Sequence, residues 1–261
     1  MVYAQYLPGA RAWAPSSRQM DYFQATRASG NGGFQMMVFA PSTVQEAVDM
    51  TYAAFDYADR DRNPVLILAD GVIGTMMEPV VLPGMKSEEE VAALKASKQG
   101  WACVGHKLDY AHRAWIQPGH WLTSDMQKAN EDAAALYESW KKDVQVEEYR
   151  LEDAEVVLTA YGISARICKS AVELLRAQGV KAGLIRPITV HPFPYAAYDH
   201  IDYSKVKAVL DVEMSIPAQF VDDVAVAVKD RCLIETCLCS GGNIMSRDKV
   251  LAAVKKIMEG K

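Results

Sequence analysis

The sequence predicts an α/β protein made of two doubly wound, parallel-sheet domains. Two segments carry that prediction, residues 35–70 and 154–194, because each reads as strand, helix, strand with a connection long enough for a parallel crossover. The third observation is size: 261 residues, half of them hydrophobic, suffice for a substantial core.

In the first segment, residues 35–40 (QMMVFA) read as a buried strand that Pro41 ends, with Ser42 as the N-cap of the helix behind it. Val44, Ala47, Val48, Thr51, Phe55 and Ala58 are expected to line its buried face, and residues 64–70 (PVLILAD) form the strongest strand in the chain. In the second, residues 155–160 (EVVLTA) match a strand buried on both faces. Ser164 is positioned to cap a helix carrying Ile167, Cys168, Ala171, Val172, Leu174 and Leu175, which Gly179 stops. The tract Gly183-Leu-Ile-Arg-Pro-Ile-Thr-Val-His-Pro-Phe-Pro194 continues the next strand, and Pro187 ends its ladder. Residues 206–212 and 231–239 read as further strands, and 217–229 and 246–258 as helices. In the helix at 217–229, Phe220, Val221, Val224, Val226 and Val228 form the apolar stripe, with Asp222 and Asp223 outside. Residues 82–121 read as an irregular connector, and 123–150 as an amphipathic helix with a cap at Ser124 and Gln127. The expected division is 1–80, a first α/β domain; 81–150, connector and helix; and 151–261, a second α/β domain.

A net charge of −5 and a pI near 5.6 provide no broad basic surface, so nucleic acid and anionic membranes are not the expected partners. No run is long and apolar enough for a bilayer span and no secretory signal is visible, which predicts a cytoplasmic protein. The five cysteines show no regular framework and fit reduced thiols. Cys232, Cys237 and Cys239 match no ferredoxin spacing, and packing as small apolar side chains is the expected role. His106, His112 and His120 lie in the irregular connector with no ligand-like spacing, so no metal site is expected. The glycine-rich segment at 28–33 precedes a strand rather than linking strand to helix, which suits a loop better than a phosphate cradle.

Three residues stand at the C-terminal ends of predicted strands, where open α/β sheets gather their ligands: Asp70, Arg186 and Glu213. Each has a structural alternative. Asp70 suits a turn or helix cap, and Arg186 suits a link that holds the proline-rich loop or an interface. No Ser/His/Asp set, Walker loop or zinc-protease signature is present, so no catalytic residue is assigned.

Five segments in order, 40–49 (APSTVQEAVD), 63–79 (NPVLILADGVIGTMMEP), 160–171 (AYGISARICKSA), 183–194 and 212–224 (VEMSIPAQFVDDV), resemble the α subunit of 2-oxoacid:ferredoxin oxidoreductases. The likeness is to the branched-chain, 2-oxoisovalerate type. It implies a partial pyrimidine-binding domain of a thiamine-diphosphate enzyme followed by a transketolase C-terminal-like domain. It further implies oxidative decarboxylation of a 2-oxoacid to an acyl-CoA, with electrons passed through iron–sulfur clusters to ferredoxin. Thiamine diphosphate with Mg would be held mainly by a partner subunit and the clusters by other subunits, with none bound tightly to this chain alone. Expected partners are those subunits, ferredoxin, coenzyme A and the 2-oxoacid, in a homo- or hetero-oligomer.

The family's activating glutamate and substrate loop have no counterpart, and Asn31, His191 and Ala218 depart from the family pattern. A shortened, scaffolding subunit, inactive by itself, is therefore the expectation. The alternatives are a non-catalytic assembly or regulatory protein derived from such a subunit, and a small-molecule-binding α/β protein.

Overall fold

The structure, a computed structural model, describes residues 2–5 as backbone and 19–27, 33–102 and 122–260 in full. The glycine-rich stretch at 28–32, Cys103, the three connector histidines and Asn31 lie outside the described residues. The chain divides into two compact units, Met1–Val81 with Trp140–Lys261, and Leu82–Ser139.

The first unit holds two sheets. In chain order its elements begin with β1 (Val2–Gln5), α1 (Tyr22–Thr26), β2 (Met37–Phe39), α2 (Val44–Asp61), β3 (Val65–Leu68) and α3 (Gly71–Thr75). The second unit contains α4 (Glu88–Ser97) and α5 (Thr123–Ser139). The first then resumes with β4 (Val146–Tyr149), β5 (Val156–Thr159), α6 (Gly162–Ala177), β6 (Ala182–Pro187), β7 (Thr189–His191), β8 (Ala208–Glu213), α7 (Val221–Val228), β9 (Leu233–Leu238) and α8 (Arg247–Glu259).

Among the described residues the first sheet has the order β1-β3-β2-β7 and the second β4-β6-β5-β8-β9. The α/β class predicted from sequence is thus present, with a difference at the edges. β7 runs antiparallel to β2 and β4 antiparallel to β6, while the remaining pairs are parallel. β4 lies inside the stretch read as one long helix, because α5 stops at Ser139 and Trp140–Asp143 forms a 3-10 turn. Trp140, nearly fully buried, donates its indole N–H to Asp61 and anchors that turn.

β2, β3, β5, β6 and β8 are buried along their whole length, as apolar runs at the centre of a covered sheet require. Only Ile188 separates β6 from β7, so the proline-rich tract carries the chain from the second sheet back to the first. Ala40 N–H donates to Ile188 O (2.8 Å), and Ile188 N–H donates to Gln145 O (3.0 Å), which fixes that crossing. Gly183 in β6 meets the backbone of the β4–β5 turn so closely that a Cβ there would stand 2.7 Å from Arg150 O.

The helices correct several expectations at their termini. Thr43, not Ser42, caps α2 by accepting from Glu46 N–H, while Ser42 donates to the Glu46 carboxylate. α5 begins at Thr123, so Ser124 is already inside it. Ser164 is likewise inside α6, whose N-cap is Tyr161. The buried face of α2 runs through Ala54 and Ala58, and Phe55 and Thr51 point to solvent. Val226 of α7 is exposed, whereas Asp223 turns inward and accepts from the hydroxyls of Tyr22 (2.7 Å) and Tyr195 (2.9 Å). Arg27 pairs with the same carboxylate (2.9 Å), and Tyr22 packs edge-on against Phe220, so these partners outweigh the simple helical pattern. In the segment read as irregular, α4 starts with a full capping box between Ser87 and Glu90.

Replacing Gly183 by Ala is expected to lower stability by about 1–3 kcal/mol in urea unfolding, because the obstructing atom is backbone and cannot rotate away.

Candidate functional site

Strand order in the second sheet reverses at β5, with β6 on one side and β8 on the other. The carboxyl ends of β5 and β8 therefore bound the crevice in which a doubly wound sheet ordinarily receives a ligand. Here the chain's own side chains occupy it. Gln19, buried, receives hydrogen bonds at Oε1 from Met214 N–H (3.0 Å) and the Ser164 hydroxyl (2.9 Å) and donates from Nε2 to Tyr161 O (2.9 Å). Its backbone N–H donates to Met214 O (3.1 Å), and its carbonyl accepts from the Tyr161 hydroxyl (3.0 Å).

Asp70 stands beside it. Its Oδ1 caps α3 by accepting from Val72 and Ile73 N–H (3.1 and 3.0 Å), and its Oδ2 accepts from Ile163 N–H (2.8 Å) at the start of α6. One carboxylate thus serves the positive ends of two helices. Gly162, at φ +58°, makes the approach possible, since a Cβ would lie 2.6 Å from Asp70 Oδ2 and 2.8 Å from Gln19 Nε2. Burial raises the Asp70 pKa even though the N–H donors act to lower it.

Glu213 ends β8 and, fully buried, accepts from Gln219 N–H (2.8 Å) and Phe220 N–H (3.2 Å) at the entry to α7. The structure therefore brings Asp70 and Glu213 to one crevice, joined through Gln19 and its bonds to Met214. Arg186 is not among them. Its guanidinium pairs with Glu46 of α2 and Glu147 of β4, and Glu147 in turn pairs with Lys169 of α6. The Arg186 and Ser42 bonds outweigh burial at Glu46 and hold its pKa below the usual carboxylate value. Arg186 thus links α2 to β4, neither of which is the proline-rich loop.

Sequence reasoning missed Gln19 and Asp211. Gln19 carries no local signal, because its partners lie about the chain at Tyr161, Ser164 and Met214. Asp211 was hidden inside an apolar strand, although a charged residue two positions before Glu213 on the same face is a readable oddity. It is fully buried and receives no donor at either carboxyl oxygen among the described residues; the group beside it is the Glu213 carboxyl, toward which a protonated Asp211 donates. Burial, followed by repulsion from Glu213, raises its pKa well above the carboxylate range.

The resemblance to thiamine-diphosphate enzymes poses a test of fit. A diphosphate needs open N–H donors or a cation, and the aminopyrimidine needs a carboxyl free to exchange a proton. Asp70 takes the N-termini of α3 and α6, and Glu213 takes the entry to α7. No cluster of three or more His, Cys, Asp or Glu side chains is arranged for a metal among the described residues. These residues do not form a cradle for that cofactor.

Arg186→Met is expected to destabilise the protein by about 2–3 kcal/mol, less than for a fully enclosed pair because both glutamates are partly exposed. Adding Glu46→Gln and Glu147→Gln should recover part of that loss in a urea-unfolding cycle. Asp211 makes a separate prediction. Its raised pKa means that the folded protein keeps a proton the unfolded chain releases above about pH 3.9. Stability is then full below that pH and falls as pH rises toward the folded pKa, by up to about 1.4 kcal/mol per pH unit. Asp211→Asn should flatten this slope in unfolding curves taken at about pH 5 and about pH 8.

No helix among the described residues is long and apolar enough to cross a membrane. Over the whole length, residues 5–151 match the family described as pyruvate flavodoxin/ferredoxin oxidoreductase, thiamine diP-binding, and residues 154–250 match pyruvate:ferredoxin oxidoreductase core domain II. The ketoisovalerate oxidoreductase subunit VorB of Methanothermobacter marburgensis is 36% identical over 92% of this chain, and that of Methanothermobacter thermautotrophicus 35% over 92%. The 2-oxoglutarate synthase subunit KorA of Methanocaldococcus jannaschii is 29% identical over 80% of the chain. The chain spans 65% of the length of the two VorB proteins. A solved 2-oxoglutarate:ferredoxin oxidoreductase from Magnetococcus marinus, with 2-oxoglutarate, coenzyme A and succinyl-CoA bound, shares the fold at a TM-score of 0.71 and 18% identity, over 98% of this chain and 48% of that one. The two consecutive family matches, on a fold of two α/β sheets, establish that this chain belongs to the pyruvate flavodoxin/ferredoxin oxidoreductase family.

Proposed function

We propose that this chain is an α-type subunit of a cytoplasmic, thiamine-diphosphate-dependent oxidoreductase that converts a branched-chain 2-oxoacid to its acyl-CoA and passes the electrons to ferredoxin. The observation that carries the substrate class is the identity gradient: 36% and 35% to the ketoisovalerate subunits, against 29% to a 2-oxoglutarate synthase subunit and 25% to a pyruvate synthase subunit. The closed crevice supports a division of labour in which a partner subunit holds thiamine diphosphate and Mg and other subunits hold the iron–sulfur clusters, since Asp70 and Gln19 are engaged in joining the two sheets and Glu213 in holding the entry to α7. On this reading residues 1–80 are the partial pyrimidine-binding domain, 81–150 the connector and 151–261 the transketolase C-terminal-like domain. Asp70 and Glu213 are positioning residues, and the chain alone is inactive. The same crevice argues against the small-molecule-binding alternative, because Asp70, Gln19 and Glu213 are engaged internally.

The test is purification of the native complex containing this chain, followed by viologen reduction dependent on both 2-oxoacid and coenzyme A. We expect kcat/KM for 2-oxoisovalerate to exceed that for pyruvate and 2-oxoglutarate by at least about tenfold. Reduction favouring either other acid would overturn the substrate class. A complex with no such reduction would make the chain an assembly protein.

A further inference from the structure

We propose that β9 pairs edge to edge with β9 of a second copy of this chain, in antiparallel register about a two-fold axis at Thr236. The inference rests on the sheet edge alone and not on the activity proposed above. β9 is the last strand of the second sheet, and no strand among the described residues pairs with its outer side. Its six residues, LIETCL, include no proline, lysine or arginine, and Glu235 is the one charge among them. Leu233, Glu235 and Thr236 are exposed along it.

The backbone sets the phase. Cys239 N–H donates to Glu213 O (3.2 Å), so the odd-numbered residues of β9 direct their backbone groups at β8. Alternation then turns the N–H and C=O of Ile234, Thr236 and Leu238 outward. A two-fold axis at Thr236 makes Thr236 face Thr236 and Ile234 face Leu238 of the second copy. Every outward residue then falls in a hydrogen-bonded pair, with a threonine pair and two aliphatic pairs on one face. Lys249 Nζ already reaches the Leu238 carbonyl from α8, which leaves that oxygen its second lone pair.

Charge selects this register over its neighbour. Centring the axis on Glu235 would also pair the outward groups, but it would set the two Glu235 carboxylates directly opposite each other. Centring it on Thr236 instead sets Glu235 opposite Cys237 of the other copy. Cys237 lines a groove of about 500 Å³ between β9 and α8, whose other lining residues include Leu210, Ala253, Ile257, Lys249 and Lys256. The incoming carboxylate thus enters a groove lined by two ammonium groups and by the chain's own Glu235, so two lysines serve two carboxylates on each side; the operation is reciprocal, as a two-fold interface requires.

The experiment is sedimentation equilibrium of the full chain across about a hundredfold dilution, with amide hydrogen exchange on the same samples. The expected result is a reversible dimer in which the amides of Ile234, Thr236 and Leu238 are protected and lose that protection on dilution. Thr236→Pro removes an outward N–H without touching the β8 ladder, and Glu235→Lys reverses the charge. Each should weaken dimerisation at least about tenfold while circular dichroism and the melting temperature stay as in the parent. Combining Glu235→Lys with Lys249→Glu and Lys256→Glu should restore it. A chain that stays monomeric throughout, or a dimer that survives Thr236→Pro unchanged, would overturn the proposal.

Discussion

The seam between Asp70, Gln19 and the start of α6 is the constraint on which the first unit depends. Strand ends in an open sheet leave backbone carbonyls, and the helix that follows leaves N–H groups, that must find partners. Asp70 answers the N–H of Ile163, and Gln19 answers Tyr161 O and both backbone groups of Met214. These bonds tie the end of β3, in one sheet, to the ends of β5 and β8 in the other. Gly162 is the condition for all of them, because any side chain there would collide with both partners. Aromatic packing of Tyr22, Tyr161 and Phe220 then closes the apolar side of the same seam.

The charges buried nearby behave differently according to what faces them. Arg186 and its two glutamates compensate one another, so ionisation is retained and the group acts as a brace. Glu213 keeps two backbone donors. Asp211 has none, and with Glu213 two residues away the inexpensive state is the neutral one. A carboxyl left in that condition inside a covered strand costs stability, yet it lies on the face shared with the aromatic core rather than in an opening toward solvent.

Much of the architecture was legible because it rests on local pattern. The runs around Val65–Leu68 and Val156–Thr159 are apolar throughout, and the stop at Gly179 follows from its freedom at positive φ. The errors have physical causes too. Ser42 and Ser164 have the chemistry of caps, but Thr43 stands at the turn in one case, and in the other Gln19 gives the hydroxyl a better-enclosed partner. Asp223 reads as a solvent-facing residue until two tyrosine hydroxyls and Arg27 converge on it. β4 was invisible because Val146–Tyr149 carries two glutamates, and its pairing with β6 is supported by Arg186 and Lys169.

By itself the sequence determined the α/β class, the two strand–helix–strand units, the strand-end positions of Asp70, Arg186 and Glu213, and the family likeness. Those are properties of residues near one another in the chain, where periodicity and turn chemistry act directly. Only the tertiary structure decided what the three residues do. It joined Asp70 and Glu213 through Gln19, from a segment nearly two hundred positions from Met214. It sent Arg186 to Glu46 and Glu147 instead. A hydrogen bond between distant segments depends on where the packed sheets bring their ends, and no local pattern encodes that meeting.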